Sequence, residues 1–415
     1  MLRPETAWEI LANHAAPLPT EAVPRAEALG RVLAEPLTAT VDQPPGDVAA
    51  MDGYAVAGPY AAGQPLPVVA TLAAGASMGV ALAAGQAARI MTGAVLPAGA
   101  DRVVPRELSD RRDGATVPGE RVILRRELDA GANLRRGGEV VRRGAPLFAA
   151  GEPLGPGALA LAAAHGYGHL PVHRAPRLAM LSTGDEVVPA SAMPGPGQLR
   201  DSHTDFLRAA CRTLGLDCVS LGLAKDDPVA LREHLRGGLD SDLLLVCGGV
   251  SAGDFDRTPG VLAELGCTPL LHGVAIQPGR PLLAARHAQG LVLGLPGNPA
   301  AVMTCFWLFA RPLLRRLMGF ADGFWRGTLR ARLTAPLPGA KDRDRFVPAR
   351  LASAAGELEA RPLADRGSHD LWAWSRGTAL LRVAAGSPPR AAGEPCEALP
   401  ILPWLDSPAC EDLRR

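Results

Sequence analysis

Three glycine-rich turns carry the strongest chemical signal in the chain. They are Ser182-Thr183-Gly184-Asp185-Glu186, Gly248-Gly249-Val250-Ser251-Ala252-Gly253-Asp254-Phe255-Asp256 and Leu295-Pro296-Gly297-Asn298-Pro299. Glycine lets backbone N–H groups approach an anion closely, and a helix start adds partial positive charge there. Two of the turns also bear carboxylates, and Lys225-Asp226-Asp227-Pro228 adds more. Carboxylates repel a phosphate ester unless a divalent cation lies between them, and hard oxygen ligands suit Mg²⁺. The set points to a phosphate-plus-metal site.

Each turn has a plainer reading as well. Ser-Thr-Gly-Asp can cap a helix, Asp226-Asp227-Pro228 is a good helix start, and Pro-Gly-Asn-Pro can be a rigid connector. Asp254 and Asp256 are harder to explain structurally, because acids inside a glycine-rich loop have no packing role. Gly249-Val250-Ser251-Ala252-Gly253 matches the Gly-x-Ser-x-Gly of a hydrolase nucleophile elbow. That elbow needs a helix straight after the serine, whereas Asp254-Phe255-Asp256 follows here. The nine histidines are scattered singly, without zinc-site spacing. The arginine pairs 111–112, 135–136 and 142–143 read as solvated edges of β structure.

The turns need strands to aim them. Apolar runs at 177–182, 218–223, 242–247 and 291–295 alternate with helical patterns at 204–214, 228–239 and 299–318. Strand–helix alternation with near-continuous apolar strands predicts a parallel, three-layer α/β domain over 173–320. Ligands in such sheets bind beyond the carboxyl ends of the strands, which is where the turns fall. Residues 42–143 have short apolar runs punctuated by Gly and Pro, which predicts a β-rich domain. Helical spacing over 5–36, with a second helix starting near Thr20, and over 156–166, with Leu159 and Leu161 facing a core, predicts a helical or linker domain from 1–41 with 144–172. Residues 327–415 return to β texture.

At 415 residues, about three domains are expected. Hydrophobic residues at 47% and charged residues at 20% describe a globular chain with a sizeable core. The 43 basic and 42 acidic residues nearly cancel, and aromatics are only 4%. Polyanion coating and base-stacking platforms are therefore poor fits, and no nucleic-acid partner is expected. Lys225 and Lys341 are the only lysines. The seven cysteines are odd in number, scattered and without Cys-x-x-Cys, which argues against a disulfide scaffold and fits reduced thiols. No membrane-spanning run or secretory leader is apparent, so a cytoplasmic location is expected.

Met51-Asp52-Gly53-Tyr54-Ala55 closely resembles a signature of the molybdopterin molybdenumtransferases (MoeA type, similar to the gephyrin E domain). So do Ile90-Met91-Thr92-Gly93-Ala94, Leu96-Pro97-Ala98-Gly99-Ala100-Asp101 and the three turns above, in order along essentially the whole chain. The resemblance implies a multi-domain fold, α/β plus β. An N-terminal helical/linker domain brackets an inserted β-rich domain, followed by a MogA/MoaB-like molybdopterin-binding domain and a C-terminal β-barrel. It implies an elongated homodimer with its site between the α/β domain of one subunit and the β domain of the other. The implied reaction inserts molybdate into adenylylated molybdopterin with Mg²⁺-dependent release of AMP. The implied partners are a molybdopterin adenylyltransferase upstream and recipient molybdoenzymes or their chaperones downstream.

Carried onto matching positions, Asp52, Thr92, Glu186, Asp226 and Asp256 become catalytic, with Glu186, Asp226 and Asp256 holding Mg²⁺. Gly248, Gly249, Ser251, Arg280, Pro296, Gly297 and Pro299 become ligand-binding. The chain departs from the family pattern at Val140, Gly273, Gln277, His203 and Ala301. These losses fall on the anion-binding side. They leave open a paralogue that binds molybdopterin or its nucleotide as a carrier or scaffold without inserting metal. An unrelated nucleotide hydrolase is a third reading.

Overall fold

Six strands form the sheet that the glycine turns cap, in the order Cys218–Ala224, Leu178–Thr183, Leu243–Cys247, Leu291–Leu295, Leu283–Arg286 and Thr268–His272. The structure, a computed structural model, describes residues 1–75, 79–111, 117–250, 257–354 and 356–401. The first four strands are parallel. Leu283–Arg286 runs antiparallel to both of its neighbours, so the sheet is mixed rather than all-parallel as expected. The cause is local: the His287 N–H donates to Gly290 O (2.9 Å) across a tight turn, and so short a link can join only antiparallel strands.

Successive residues on the central strands enter different cores, because a strand alternates its faces. Leu178, Met180, Leu243 and Leu245 pack with the helix His203–Arg212 and the long helical run from Pro299. Ala179, Leu181, Leu244 and Val246 pack against the helices Pro228–Gly238 and Thr258–Glu264. The expected three layers are present. The run expected as one helix over 299–318 consists of Pro299–Cys305, a π-turn at Phe306–Ala310 and Arg311–Leu317. Pro312 has no N–H for the helix ladder, and its ring opposes the carbonyl four residues back, at Leu308; the wider turn accommodates both.

The chain divides into two compact units. The first comprises Met1–Ala34, Gly151–Gly155 and His169 onward. Within it only Pro4–Asn13 forms the expected N-terminal α-helix. The second expected helix is absent: Thr20–Pro24 is a strand, antiparallel to His169–His173, followed by one short helical turn at Arg25–Glu27. Pro24 drives Val23 into extended backbone, which overrides the apolar spacing.

In the same unit, Leu329–Leu333, Asp344–Ala354, Glu357–Pro362, Ala379–Val383 and Pro395–Pro400 close into a five-stranded barrel. Closure comes from Asp344–Ala354, which pairs with both Glu357–Pro362 and Ala379–Val383. Ile276–Gln277, a segment of the α/β region, joins this barrel parallel to Asp344–Arg345.

The second unit, Glu35–Ala150 with Pro156–Gly168, holds a five-stranded sheet ordered Arg102–Pro105, Gly53–Val56, Ala87–Ile90, Pro65–Leu72 and Arg121–Ile123. Its helix spans Pro156–Ala164, where Ala162 is buried and Leu159 and Leu161 are only half-buried. All six described cysteines are buried and unbridged, and Cys410 lies outside the described residues.

Candidate functional site

Beyond the carboxyl ends of the parallel strands lies a cavity of about 270 Å³. Thr183, Glu186, Asp226, Gly248, Gly249, Pro296 and Gly297 are among the residues that line it, so all three turns and the acidic segment meet there. Backbone geometry explains the glycines. Gly248 and Gly249 have φ of +92° and +62°, and a Cβ on Gly248 would lie 2.6 Å from Thr183 O. Gly248 N–H donates to Leu295 O (3.0 Å), which ties the second turn to the third. The His272 ring nitrogen Nε2 lies 2.8 Å from Val250 O and anchors the loop on the far side. Gly184 leaves room for Glu186, whose Oε2 would be 2.8 Å from a Cβ at that position.

The two neighbouring aspartates divide their work. Asp227 Oδ2 accepts from Ala230 N–H (2.9 Å) and caps the helix Pro228–Gly238, so the plain structural reading holds for it. Asp226 lines the cavity. Among the described residues no three His, Cys, Asp or Glu side chains converge as a metal cluster. Glu186 and Asp226 thus offer two hard carboxylates. That set fits a Mg²⁺ ion that keeps several waters and takes further oxygens from a substrate phosphate. Ser251 and Asp256, together with Asp254, lie outside the described residues, as does Arg112.

Two features of the site add to the sequence reading, in which His203 stands only as a departure from the family pattern. His203 lines the wall, where burial pushes its imidazole below the ordinary range against the pull of Asp201 and Glu186. The hydroxyl of Thr183, on the cavity wall, and that of Thr258, buried against Gly249 and outside the cavity lining, have no hydrogen-bond partner among the described residues. Sequence offered only the adjacency of Thr183 to Gly184 as a signal, and nothing for Thr258.

A second cavity of about 270 Å³ shares Pro281, Pro296 and Asn298 with the first. Gln277, Arg280 and Ala301 line it, and the barrel adds Arg343, Arg345, Asp365 and Ser368. The parallel pairing of Gln277 with Arg345 brings the barrel's arginines to this wall. Three guanidinium groups face one carboxylate, a balance suited to a small oxyanion. Pro299 opens the helix Pro299–Cys305 and lines neither cavity.

Asp52 and Thr92 meet in the second unit. Asp52 Oδ1 accepts from Thr92 N–H (2.8 Å) and from Thr92 Oγ1–H (2.7 Å). These bonds hold the Asp52 carboxyl below the usual range, against a small opposing effect of burial. The adjacent Gly53 is obligatory, because a Cβ there would lie 2.1 Å from Val104 O.

Residues 2–166 match the MoeA N-terminal region (domain I and II), 179–316 the probable molybdopterin binding domain, and 330–401 the MoeA C-terminal region (domain IV). A molybdopterin molybdenumtransferase from Nostoc sp. is 38% identical over 315 residues, covering 74% of this chain and 71% of that one. The chain belongs to the molybdopterin molybdenumtransferase family. A Bacillus subtilis member is 32% identical over 380 residues, covering 89% of this chain and 86% of its own. The crystal structure of a molybdopterin biosynthesis MoeA protein from Pyrococcus horikosii is 30% identical, with a TM-score of 0.82 over 97% of this chain and 100% of that one. Within this family the Met51–Ala55 signature has a physical basis here: Asp52 is clamped by Thr92, Gly53 clears a neighbouring strand and Tyr54 is 2% exposed in the core. Among the described residues no helix is long and apolar enough to cross a membrane.

Proposed function

We propose that this chain inserts molybdenum from molybdate into adenylylated molybdopterin, with Mg²⁺-dependent release of AMP, in molybdenum cofactor biosynthesis. The observation that carries this reading is the shared wall of the two cavities. One cavity offers carboxylates and glycine turns for a phosphate with its cation, and the other offers arginines for an oxyanion. Both substrates can therefore sit side by side.

In this reading Gly248, Gly249 and Ser251 cradle the phosphate, and Pro296, Gly297 and Pro299 hold the third turn in place. Glu186, Asp226 and Asp256 hold Mg²⁺, which when bound neutralises charge on the phosphoryl oxygens. Arg280, joined by Arg343 and Arg345, holds molybdate, while Asp52 and Thr92 complete the catalytic set. The proposed organisation is 1–41 with 144–172, 42–143, 173–320 and 327–415, in a cytoplasmic homodimer. It takes its substrate from a molybdopterin adenylyltransferase and passes the product to molybdoenzymes or their chaperones. Two further guanidinium groups at Arg343 and Arg345 support metal insertion over the carrier reading, because they offset the neutral Gln277. The test is incubation with adenylylated molybdopterin, Mg²⁺ and molybdate, following AMP and metal-loaded cofactor together. Binding without AMP release or metal insertion would make the chain a carrier.

A further inference from the structure

The two unpartnered hydroxyls beside the glycine turn are the least expected polar groups in the α/β region. Thr258 is 0% exposed and Thr183 is 5% exposed, and among the described residues neither Oγ1 has a hydrogen-bond partner. Buried hydroxyls normally pair, since an unmade bond leaves desolvation uncompensated. This chain shows the normal case elsewhere: Thr304, also 0% exposed, donates to Ala300 O at 2.7 Å.

The two exceptions are not scattered. A Cβ on Gly249 would lie 2.8 Å from Thr258 Oγ1 and 3.1 Å from Thr183 Oγ1. A Cβ on Gly248 would lie 2.8 Å from Thr183 Oγ1. Asp226 Oδ1 lies 3.7 Å from the same Gly249 position, so two hydroxyls and a carboxylate oxygen converge on this stretch of loop; Thr183 is on the cavity wall, whereas Thr258 is fully buried against Gly249 and is not among the cavity-lining residues. Thr258 N–H also donates to Gly249 O (3.3 Å), which fixes the helix Thr258–Glu264 to this turn. Thr183, Gly248 and Gly249 line the cavity that holds Glu186 and Asp226.

A hydroxyl donates one hydrogen bond, and a phosphoryl oxygen accepts several. We infer that Thr183 and Thr258 donate to a phosphoryl oxygen of the nucleotide bound over Gly248–Gly249, so that ligand completes two bonds that the folded chain leaves unmade. This rests on the nucleotide reading above and adds two binding residues to it.

The test is calorimetric binding of AMP and of adenosine, both with Mg²⁺ in the buffer, to wild type, Thr258→Val, Thr258→Ser and Thr183→Val. Valine keeps the shape of threonine and removes only the hydroxyl. Each valine variant is expected to bind AMP about tenfold or more weakly, as for loss of a charge-assisted hydrogen bond, with adenosine unchanged. Thr258→Ser should retain AMP affinity within about threefold, since it keeps the donor. Melting of the ligand-free protein is the second readout. The valine variants should melt no lower than wild type, because no bond within the protein is lost. Wild-type AMP affinity in both valine variants would overturn the inference alone, as would equal loss of AMP and adenosine. A wild-type chain that binds no AMP would overturn both the inference and the nucleotide reading.

Discussion

Replacing Arg345 by glutamine tests whether the arginine cavity holds the oxyanion. Arg345 is half-buried, lines that cavity and makes no ion pair among the described residues. Arg343 is partly neutralised by Asp342 at 3.5 Å. Arg280 is exposed, so water screens it. At about 4 Å, unit charges interact by about 1 kcal/mol in bulk water and about 4 kcal/mol at the effective dielectric near a protein surface. Hydrogen bonds to charged groups contribute about 1.5–3 kcal/mol net. At about 1.4 kcal/mol per tenfold, Arg345→Gln should raise the half-saturating molybdate concentration by about tenfold to about 150-fold. Arg280→Ala should raise it by only about fivefold, as for an exposed charge. Gln277→Lys should lower it, by adding a cation beside Arg345. The assay is metal insertion as a function of molybdate, with AMP binding measured in parallel. The reasoning fails if Arg345→Gln leaves half-saturation unchanged, or if AMP affinity falls with it.

Three further outcomes are expected. Asp226→Asn should reduce AMP release at least about tenfold and raise the Mg²⁺ concentration needed, and unchanged turnover would make Asp226 a loop-structuring residue. Asp242 is 3% exposed and accepts from Arg174 at 2.7 Å through both oxygens, so Asp242→Asn should cost about 3 kcal/mol in denaturant unfolding. Burial alone would raise the Asp242 carboxyl, but Arg174 and Arg177 hold it below the usual value. Its stabilisation is therefore present above about pH 3.9, is lost as pH falls through the lower folded value, and should be missing from the acid limb of the variant. Sedimentation at micromolar concentration should show a dimer, with an interface above about 2,000 Å², and a monomer would refute the proposed assembly.

What the sequence disclosed follows from how local the cause is. The strands beneath the turns were legible because burial on both faces leaves unbroken apolar runs such as Leu243–Cys247. The acidic and glycine-rich residues at their ends were legible because few other roles need them. The strand Thr20–Pro24 was misread because its apolar spacing suits a helix, and the deciding pairing with His169–His173 is about 150 residues away. The antiparallel strand Leu283–Arg286 was missed for want of a strong turn signal at His287–Gly290. Thr258 could not be singled out, since only the fold shows that its hydroxyl has no partner among the described residues.

The anion site shows the same limit in its sharpest form. In sequence, Gln277 reads as a loss on the anion-binding side, because a neutral amide stands at a position where the chain departs from the family pattern. In the structure, that same residue pairs with Arg345 across a two-residue parallel bridge, Ile276–Gln277 with Asp344–Arg345. The bridge sets barrel residues 343 and 345 beside Arg280. Arg345, second residue of the strand Asp344–Ala354, and Arg343, in the bend just before it, both line the cavity, while Asp344 between them is 7% exposed and pairs with Arg382. The charge that a motif comparison counts as missing is thus supplied by strand register. A one-residue slip of this bridge would turn Asp344 toward the cavity and Arg345 away from it. If the proposed oxyanion site is right, molybdate binding depends on the pairing of two separate segments more than on any one motif residue, and substitutions that loosen Ile276–Gln277 should weaken it without touching a charged group.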